Sequence, residues 1–281
     1  MTLAGMMAMD FKFLEVGGLH VRYVDAGSSG GSKPLLLMHG LGGAIESWAN
    51  NIGELAKKEE LRVIALDLPG FGFSDKPKMS YTIKFYVDFV AKFARALGIA
   101  PLAVAGSSLG GHVACELAIA HPEIVSKLIL TSPSGALPKS FKGSPALWRY
   151  VKVLKAKSVE EVKKALYAVD NKPVDDAYAR AAYDKFAMPG AKEAFLSALA
   201  GSARAPRLNK ARLSKVRAPT LVLWGKDDIM IPARYVEPFV KMRNARVVLL
   251  ENCGHRPHAD RPQVFNRLVA DFVKEEEDDD S

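Results

Sequence analysis

Glutamine is almost missing from this chain of 281 residues. Gln263 stands alone against 39 Lys and Arg and 31 Asp and Glu. A charged surface with so few amides leans towards a heat-adapted source. Cysteine is nearly as scarce: Cys115 and Cys253 are the only two. They give no disulfide framework of the secreted kind and lack zinc-site spacing, so a reducing, cytoplasmic setting is the expectation. No run of about 18 apolar residues occurs, so no segment reads as a membrane-crossing helix. The opening MTLAGMMAMDFKF has no basic residue ahead of its short apolar patch and reads poorly as a secretory leader. No calcium-loop pattern and no nucleic-acid motif is found, so neither metal, cofactor nor nucleic acid is expected.

What is present is apolar material and unevenly placed charge. Hydrophobic residues make up 49% of the chain, enough for a substantial core. The net charge of +8 is concentrated between Lys139 and Arg217, where 18 Lys and Arg face 7 Asp and Glu. The chain ends in EEEDDDS, which reads as a solvated acidic tail.

Strand-like and helix-like segments alternate on both sides of that basic stretch. FKFLEV and LHVRYVDA flank Gly17 and Gly18 as an antiparallel hairpin. PLLLMH (34–39), LRVIALD (61–67), LAVAG, KLILTS, PTLVLWG (219–225) and ARVVLLE (245–251) are short apolar runs of the kind buried on both faces. Helices are expected over Ile45–Lys57, Thr82–Leu97, Arg234–Met242 and Pro262–Lys274. The class is therefore α/β, with a mostly parallel sheet of about eight strands flanked by helices. The basic stretch contains no convincing strand. Ser144 with Pro145, Ser158 with Glu161, Pro173 and Pro189 mark four helix starts, an insertion over one end of the sheet.

At the junction of LAVAG with the next helical pattern stands GSSLGG, residues 106–111. Gly106 to Gly110 fits G-x-S-x-G in the strand–turn–helix setting that this pattern needs, and the serine in frame is Ser108, not Ser107. A glycine-rich turn with incidental serines is the bland alternative; the setting and Gly111 weigh against it. A serine hydroxyl needs a base, and the base needs an orienting acid, in the chain order Ser, acid, His. His20, His39, His112 and His121 precede or closely follow the serine, which leaves His255 and His258. His255 follows the last strand and is preferred as base; His258 is assigned to the pocket rim or surface. Asp228, third after Gly225, is preferred as acid, with Asp227 its solvated neighbour. The backbone N–H groups of Leu109 and of Leu41, in the loop HGLGG (39–43), are the expected oxyanion donors. His39 reads as a buried anchor for that loop.

HGLGG, DLPGFGFSDKP, GSSLGG, WGKDDIMIP and NCGHRPH together resemble the α/β-hydrolase superfamily in order and spacing, over nearly the whole chain. The resemblance implies a hydrolase core at 1–138 and 218–274, a helical cap at 139–217, an acidic tail at 275–281 and a catalytic triad of Ser108, Asp228 and His255. Ser108 argues against the members that use an aspartate nucleophile. Two serine-based chemistries remain. One is a carboxylesterase forming an acyl-enzyme on small to medium esters; the other is a C–C bond hydrolase acting on vinylogous diketones from aromatic-ring cleavage. The second subfamily is similar around 211–228 and 252–272, but as a rule it has Asn before the nucleophile and Trp after the histidine. This chain has Ser107 and Arg256 there, and the departures favour the ester. A receptor or pseudoenzyme reading is discriminated only by turnover. Leu137, Trp148, Met230 and Arg256 are expected around the pocket, with Ile231 a further candidate. Leu147, Val151, Leu154, Phe186, Phe195 and Leu199 are expected mostly to pack the cap on itself and on the core. The basic cap reads first as ordinary solvated surface. Attraction of anionic substrates, or transient contact with an anionic lipid surface, are its functional alternatives. Oligomeric state is not legible.

Overall fold

Only the amino-terminal part of the sheet is antiparallel. In a computed structural model, which describes residues 10–28, 33–137, 145–170 and 173–275, β1 (Lys12–Val16) and β2 (Leu19–Ala26) form a hairpin with Val16 opposite Leu19. Gly17 and Gly18 make its turn with φ of 61° and 77°, a backbone that side-chain-bearing residues resist. β2 also runs antiparallel to β4 (Val63–Leu66). Every later pairing is parallel, through β3 (Leu35–Met38), β5 (Leu102–Ser107), β6 (Val125–Thr131), β7 (Thr220–Gly225) and β8 (Ala245–Leu250). The eight strands lie in the order β1-β2-β4-β3-β5-β6-β7-β8.

β3, β4, β5 and β7 are buried at every residue, which is why they read as unbroken apolar runs. Successive side chains still part to opposite faces. Leu36 and Met38 join the layer of α2 (Ile83–Ala96) and α3 (Leu109–Ala120). Leu35 and Leu37 join Trp48 and Phe265 on the other side. The edge strand β8 keeps only Leu250 buried. Thr82 opens α2, its hydroxyl accepting the Phe85 N–H at 3.0 Å, a cap worth about 1 kcal/mol.

Two expected helices are divided. Ile45–Lys57 resolves into a 3-10 turn, Ile45–Trp48, and the separate helix α1 (Ile52–Lys57). Tertiary partners fix the break: Ile45 N–H goes to Asp67 Oδ1, and the Asn51 amide bridges to the His258 carbonyl and Asn266. Arg234–Met242 becomes a 3-10 turn, Ala233–Val236, and a short helix Glu237–Val240 that carries Pro238 at its start.

Between β6 and β7 lie α4 (Pro145–Val151), a 3-10 turn at Lys152–Lys155, α5 (Val159–Asp170), α6 (Asp176–Ala187), α7 (Ala191–Arg204) and a helical turn at Lys210–Leu213. Ser158 caps α5 as expected, accepting from Glu161 N–H at 3.3 Å, whereas the Glu161 carboxylate takes the Lys157 N–H instead of completing a capping box. α6 and α7 begin later than the prolines suggest. Asp175 caps α6 by accepting from Ala177 and Tyr178, and α7 starts after Gly190. Ser144 and tail residues 276–281 lie outside the described residues. Among the described residues no helix is long and apolar enough to cross a membrane, and no group of His, Cys, Asp and Glu has metal-binding proximity.

Candidate active site

β5 delivers Ser108 into a turn so tight that its backbone is strained, with φ 52° and ψ −109°. That region is costly for a residue with a Cβ and persists only where neighbours over-determine it. Here Ser108 N–H donates to Thr131 O at 2.9 Å, and Ser108 O accepts from Ser134 and His112 N–H groups. The flanking glycines are sterically obligatory. A Cβ on Gly106 would overlap the Gly110 carbonyl, and one on Gly110 would overlap the Met38 carbonyl. Ser108 lines the cavity between the sheet's carboxyl end and the helices above it, at the start of α3. Ser107, 3% exposed, lines it too but ends β5.

After β7, Asp228 is buried with both carboxylate oxygens engaged. Oδ1 accepts the N–H groups of Met230 (2.8 Å) and Ile231 (2.7 Å), and Oδ2 lies 2.8 Å from His255 Nδ1. Two backbone donors fix the carboxylate, and the carboxylate fixes the ring with a proton on Nδ1. Nε2 is thereby left as the basic nitrogen of a histidine that borders the same cavity as Ser108. Asp227 is exposed, one residue away.

His258 is not on the surface. Its ring lies 4.2 Å from the Trp48 ring, and burial, with Arg256 and His255 nearby, pushes its pKa well below the usual imidazole value. It borders the cavity as a neutral, packed ring. His39 takes the anchoring place expected of it. Nε2 accepts Leu68 N–H at 3.0 Å, so Nδ1 carries the proton towards Gly40 O at 2.7 Å. Burial lowers its pKa, matching that neutral tautomer. The loop it holds lies against the serine: a Cβ on Gly40 would stand 3.2 Å from Ser108 Cβ. Leu41 and Leu109 both border the cavity, and Tyr150 of α4 donates its hydroxyl to Leu41 O at 3.0 Å.

Leu137, Met230, Ile231 and Arg256 line the cavity. Trp148 does not: it is 55% exposed. On α4 the inward positions are Leu147 and Tyr150, and Trp148, about 100° round from Leu147, points away. Phe186 and Leu199 line the cavity as well, whereas Val151, Leu154 and Phe195 pack behind it. Among the lining residues that sequence reasoning passed over are Tyr178, Ala182 and Lys185, which stand with Phe186 on α6. Their spacing on α6 is a helical stripe, a signal that reveals a face but not what it faces. The Arg256 guanidinium donates to Tyr178 Oη at 2.7 Å. Lys185 Nζ sits 3.4 Å from Glu46, which also pairs with Arg22 at 2.8 Å. Burial pushes the Glu46 pKa up, but Lys185 and Arg22 outweigh it and hold the carboxyl below its usual value.

A strained serine on a strand-to-helix turn and an Asp-fixed histidine border one cavity, which is the geometry of a nucleophile elbow. The family described as alpha/beta hydrolase fold matches residues 33–262. The chain belongs to this α/β-hydrolase family. It is 32% identical over 262 residues to a 2-hydroxymuconate semialdehyde hydrolase of Pseudomonas sp. strain CF600, covering 88% of this chain and 89% of that one. Among solved structures it is similar to a membrane phospholipase A described as a bacterial virulence factor, at 32% identity and TM-score 0.80, covering 97% of this chain and 89% of that one. It is also similar to a meta-cleavage product hydrolase of Pseudomonas fluorescens IP01, at 25% identity and TM-score 0.81, covering 95% and 98%.

Proposed function

We propose that the protein is a serine hydrolase with Ser108 as nucleophile, His255 as base, Asp228 as orienting acid and the N–H groups of Leu41 and Leu109 as oxyanion donors. His255 Nε2 takes the Ser108 proton as Oγ attacks a substrate carbonyl, and the oxygen of that carbonyl becomes an oxyanion against the two amides. The imidazolium then passes its proton to the leaving group as the scissile bond breaks, leaving acyl-Ser108. Water, deprotonated by His255, attacks the acyl carbon, and Ser108 regains its proton as the acid departs. In this reading 139–217 is the cap that closes the site over the core of 1–138 and 218–274.

The leaving group is carbon, and the substrate is a vinylogous diketone of the ring-fission kind. The observation that carries this is the set of curated relatives: the one from strain CF600 at 32% identity and others matching over most of the chain are named for such substrates. It displaces the preference for esters that Ser107 and Arg256 suggest. A carbon leaving group departs only as a stabilised carbanion, so the substrate's dienol must first take its keto form, in which the electrons of the breaking bond run into a conjugated carbonyl. Such substrates carry a carboxylate, and two cations, Lys185 and Arg256, stand in the cavity wall. Ester cleavage is the second reading, favoured by the 32% identity to the phospholipase A structure. Steady-state turnover of a ring-fission dienoate beside a p-nitrophenyl ester series tests the choice. A kcat/KM for the dienoate about a hundredfold above the best ester is expected; the reverse ranking returns the reading to esters.

A further inference from the structure

Among the described residues, the outer side of α4 and of the turn after it leaves its charge unanswered; so do Arg204, Arg207, Lys210, Lys215 and Arg217, but only the α4 face also exposes a tryptophan. From Pro145 to Ser158 there are four cations, Arg149, Lys152, Lys155 and Lys157, and no Asp or Glu. All four are exposed, and none has a carboxylate within ion-pair distance. Several exposed lysines elsewhere are answered: Lys58 by Glu54, Lys84 by Asp88, Lys226 by Glu251 and Lys241 by Glu237. At the start of these cations, next to Arg149, stands Trp148, 55% exposed. Trp48 and Trp224, the other tryptophans, are fully buried. A half-exposed indole on a globular surface loses the favourable burial that its area offers, unless something covers it.

We propose that this face docks on an anionic lipid bilayer, with Trp148 entering the headgroup layer and Arg149, Lys152 and Lys155 lying over the acidic headgroups. The composition is that of an interfacial helix. An amphipathic aromatic belongs where one end meets hydrocarbon and the other water, and the flanking cations gain from the negative surface potential of acidic leaflets. Trp148 and Lys152 are one helical turn apart and both outward, whereas Leu147 and Tyr150 of the same helix point into the cavity. α5, packed beside α4, also exposes Tyr167, and its Lys164 has no carboxylate partner. Each Lys or Arg near an acidic surface strengthens partitioning by about fivefold, and one aromatic side chain adds to that without making the attachment permanent. The contact is therefore reversible and salt-sensitive, and it sets a cavity-lining helix against the membrane. The proposal holds whichever bond the site cleaves.

The test is sedimentation of the full chain with vesicles of phosphatidylcholine alone or with about 30% phosphatidylserine, together with tryptophan emission. Binding to the acidic vesicles, lost at about 0.5 M salt and accompanied by a blue shift, is expected. Arg149→Gln with Lys152→Gln and Lys155→Gln should weaken it on the order of a hundredfold. Trp148→Phe should retain most binding yet abolish the emission shift, because the remaining tryptophans are already buried. The Phe variant keeps the test decisive even if the triple variant folds poorly. Equal partitioning onto neutral vesicles, undiminished binding by a folded triple variant, or an emission shift that survives Trp148→Phe would each overturn the proposal. So would capture by duplex DNA as tight as by acidic vesicles, which would reassign the cations to nucleic acid.

Discussion

On the sheet side of the cavity each proposed reacting group is fixed by hydrogen bonds or by a strained turn; on the side of the inserted helices the wall is mostly apolar side chains and phenols, with Lys185 among them. Asp228 accepts three hydrogen bonds, His255 is fixed through Nδ1, and Ser108 is locked by its turn on both backbone sides. The inserted helices share a buried apolar cluster with the core, and their polar ties to it are few: Tyr150 to Leu41 O, Tyr178 to Arg256, Lys185 to Glu46, and Ser197 between Met79 and Tyr81. A second tie joins the cap's return to α3, where His112 Nε2 donates to Pro206 O and Arg212 pairs with Glu116. The difference divides labour. In the proposed reaction a hydrogen-bonded frame holds the chemistry, while a mostly apolar layer shapes what enters.

Changes in the frame should therefore strike kcat hardest. Ser108→Ala is expected to lower turnover by about 10⁵- to 10⁶-fold, whereas Ser107→Ala should leave the rate within an order of magnitude. Asp228→Asn should cost about 10⁴-fold in kcat, by presenting the wrong donor to His255, and exposed Asp227→Asn less than twofold. Single-turnover kinetics on the four variants would sharpen the contrast; an Asp227 effect as large as the Asp228 effect would break it.

A change in the cap should act on binding instead. Lys185→Met, which leaves Glu46 its Arg22 partner, should raise KM for a carboxylate-bearing substrate about tenfold, with kcat and the KM of a neutral ester nearly unmoved. Loss confined to kcat would mean that the cap reaches the chemistry directly.

How much of this was readable in advance follows the same division. The serine turn, the acid after β7 and the histidine after β8 were legible because each depends on a few neighbouring residues and on chain order. His39 was legible as an anchor for the same reason. The cap wall was not. Tyr178 and Lys185 share a helical stripe that marks an inward face, but only the packing of α6 over the sheet makes that face a cavity wall. Trp148 was misplaced because a large apolar residue in a cap looks like lining until the helix phase is known. The helix Ile45–Lys57 was broken by Asp67, His258 and Asn266, partners far away in sequence.

The smallest expected effect concerns stability at the seam between core and cap. Burial lowers the His112 pKa from 6.5 to about 4. His39 and His258 are shifted in the same direction, also by burial. The native state thus binds fewer protons than the unfolded chain. Their contribution is complete above about pH 6.5 and is lost as pH falls, for His112 down to about pH 4. Urea unfolding between pH 6 and 4.5 should show stability falling with acid. His112→Gln, which can still donate to Pro206 O, should reduce that slope by about 1.4 kcal/mol per pH unit. An unchanged slope would show that His112 is not held neutral at this contact.

The most direct test of the account is the site of covalent capture. Incubating the protein with an organophosphonate and mapping the adduct by peptide mass should place it on Ser108, with labelling slowed by orders of magnitude in His255→Ala and unaffected in Ser107→Ala. An adduct on Ser107 or any other residue, or an active enzyme that takes up no label, would contradict the assignment of Ser108 as the nucleophile.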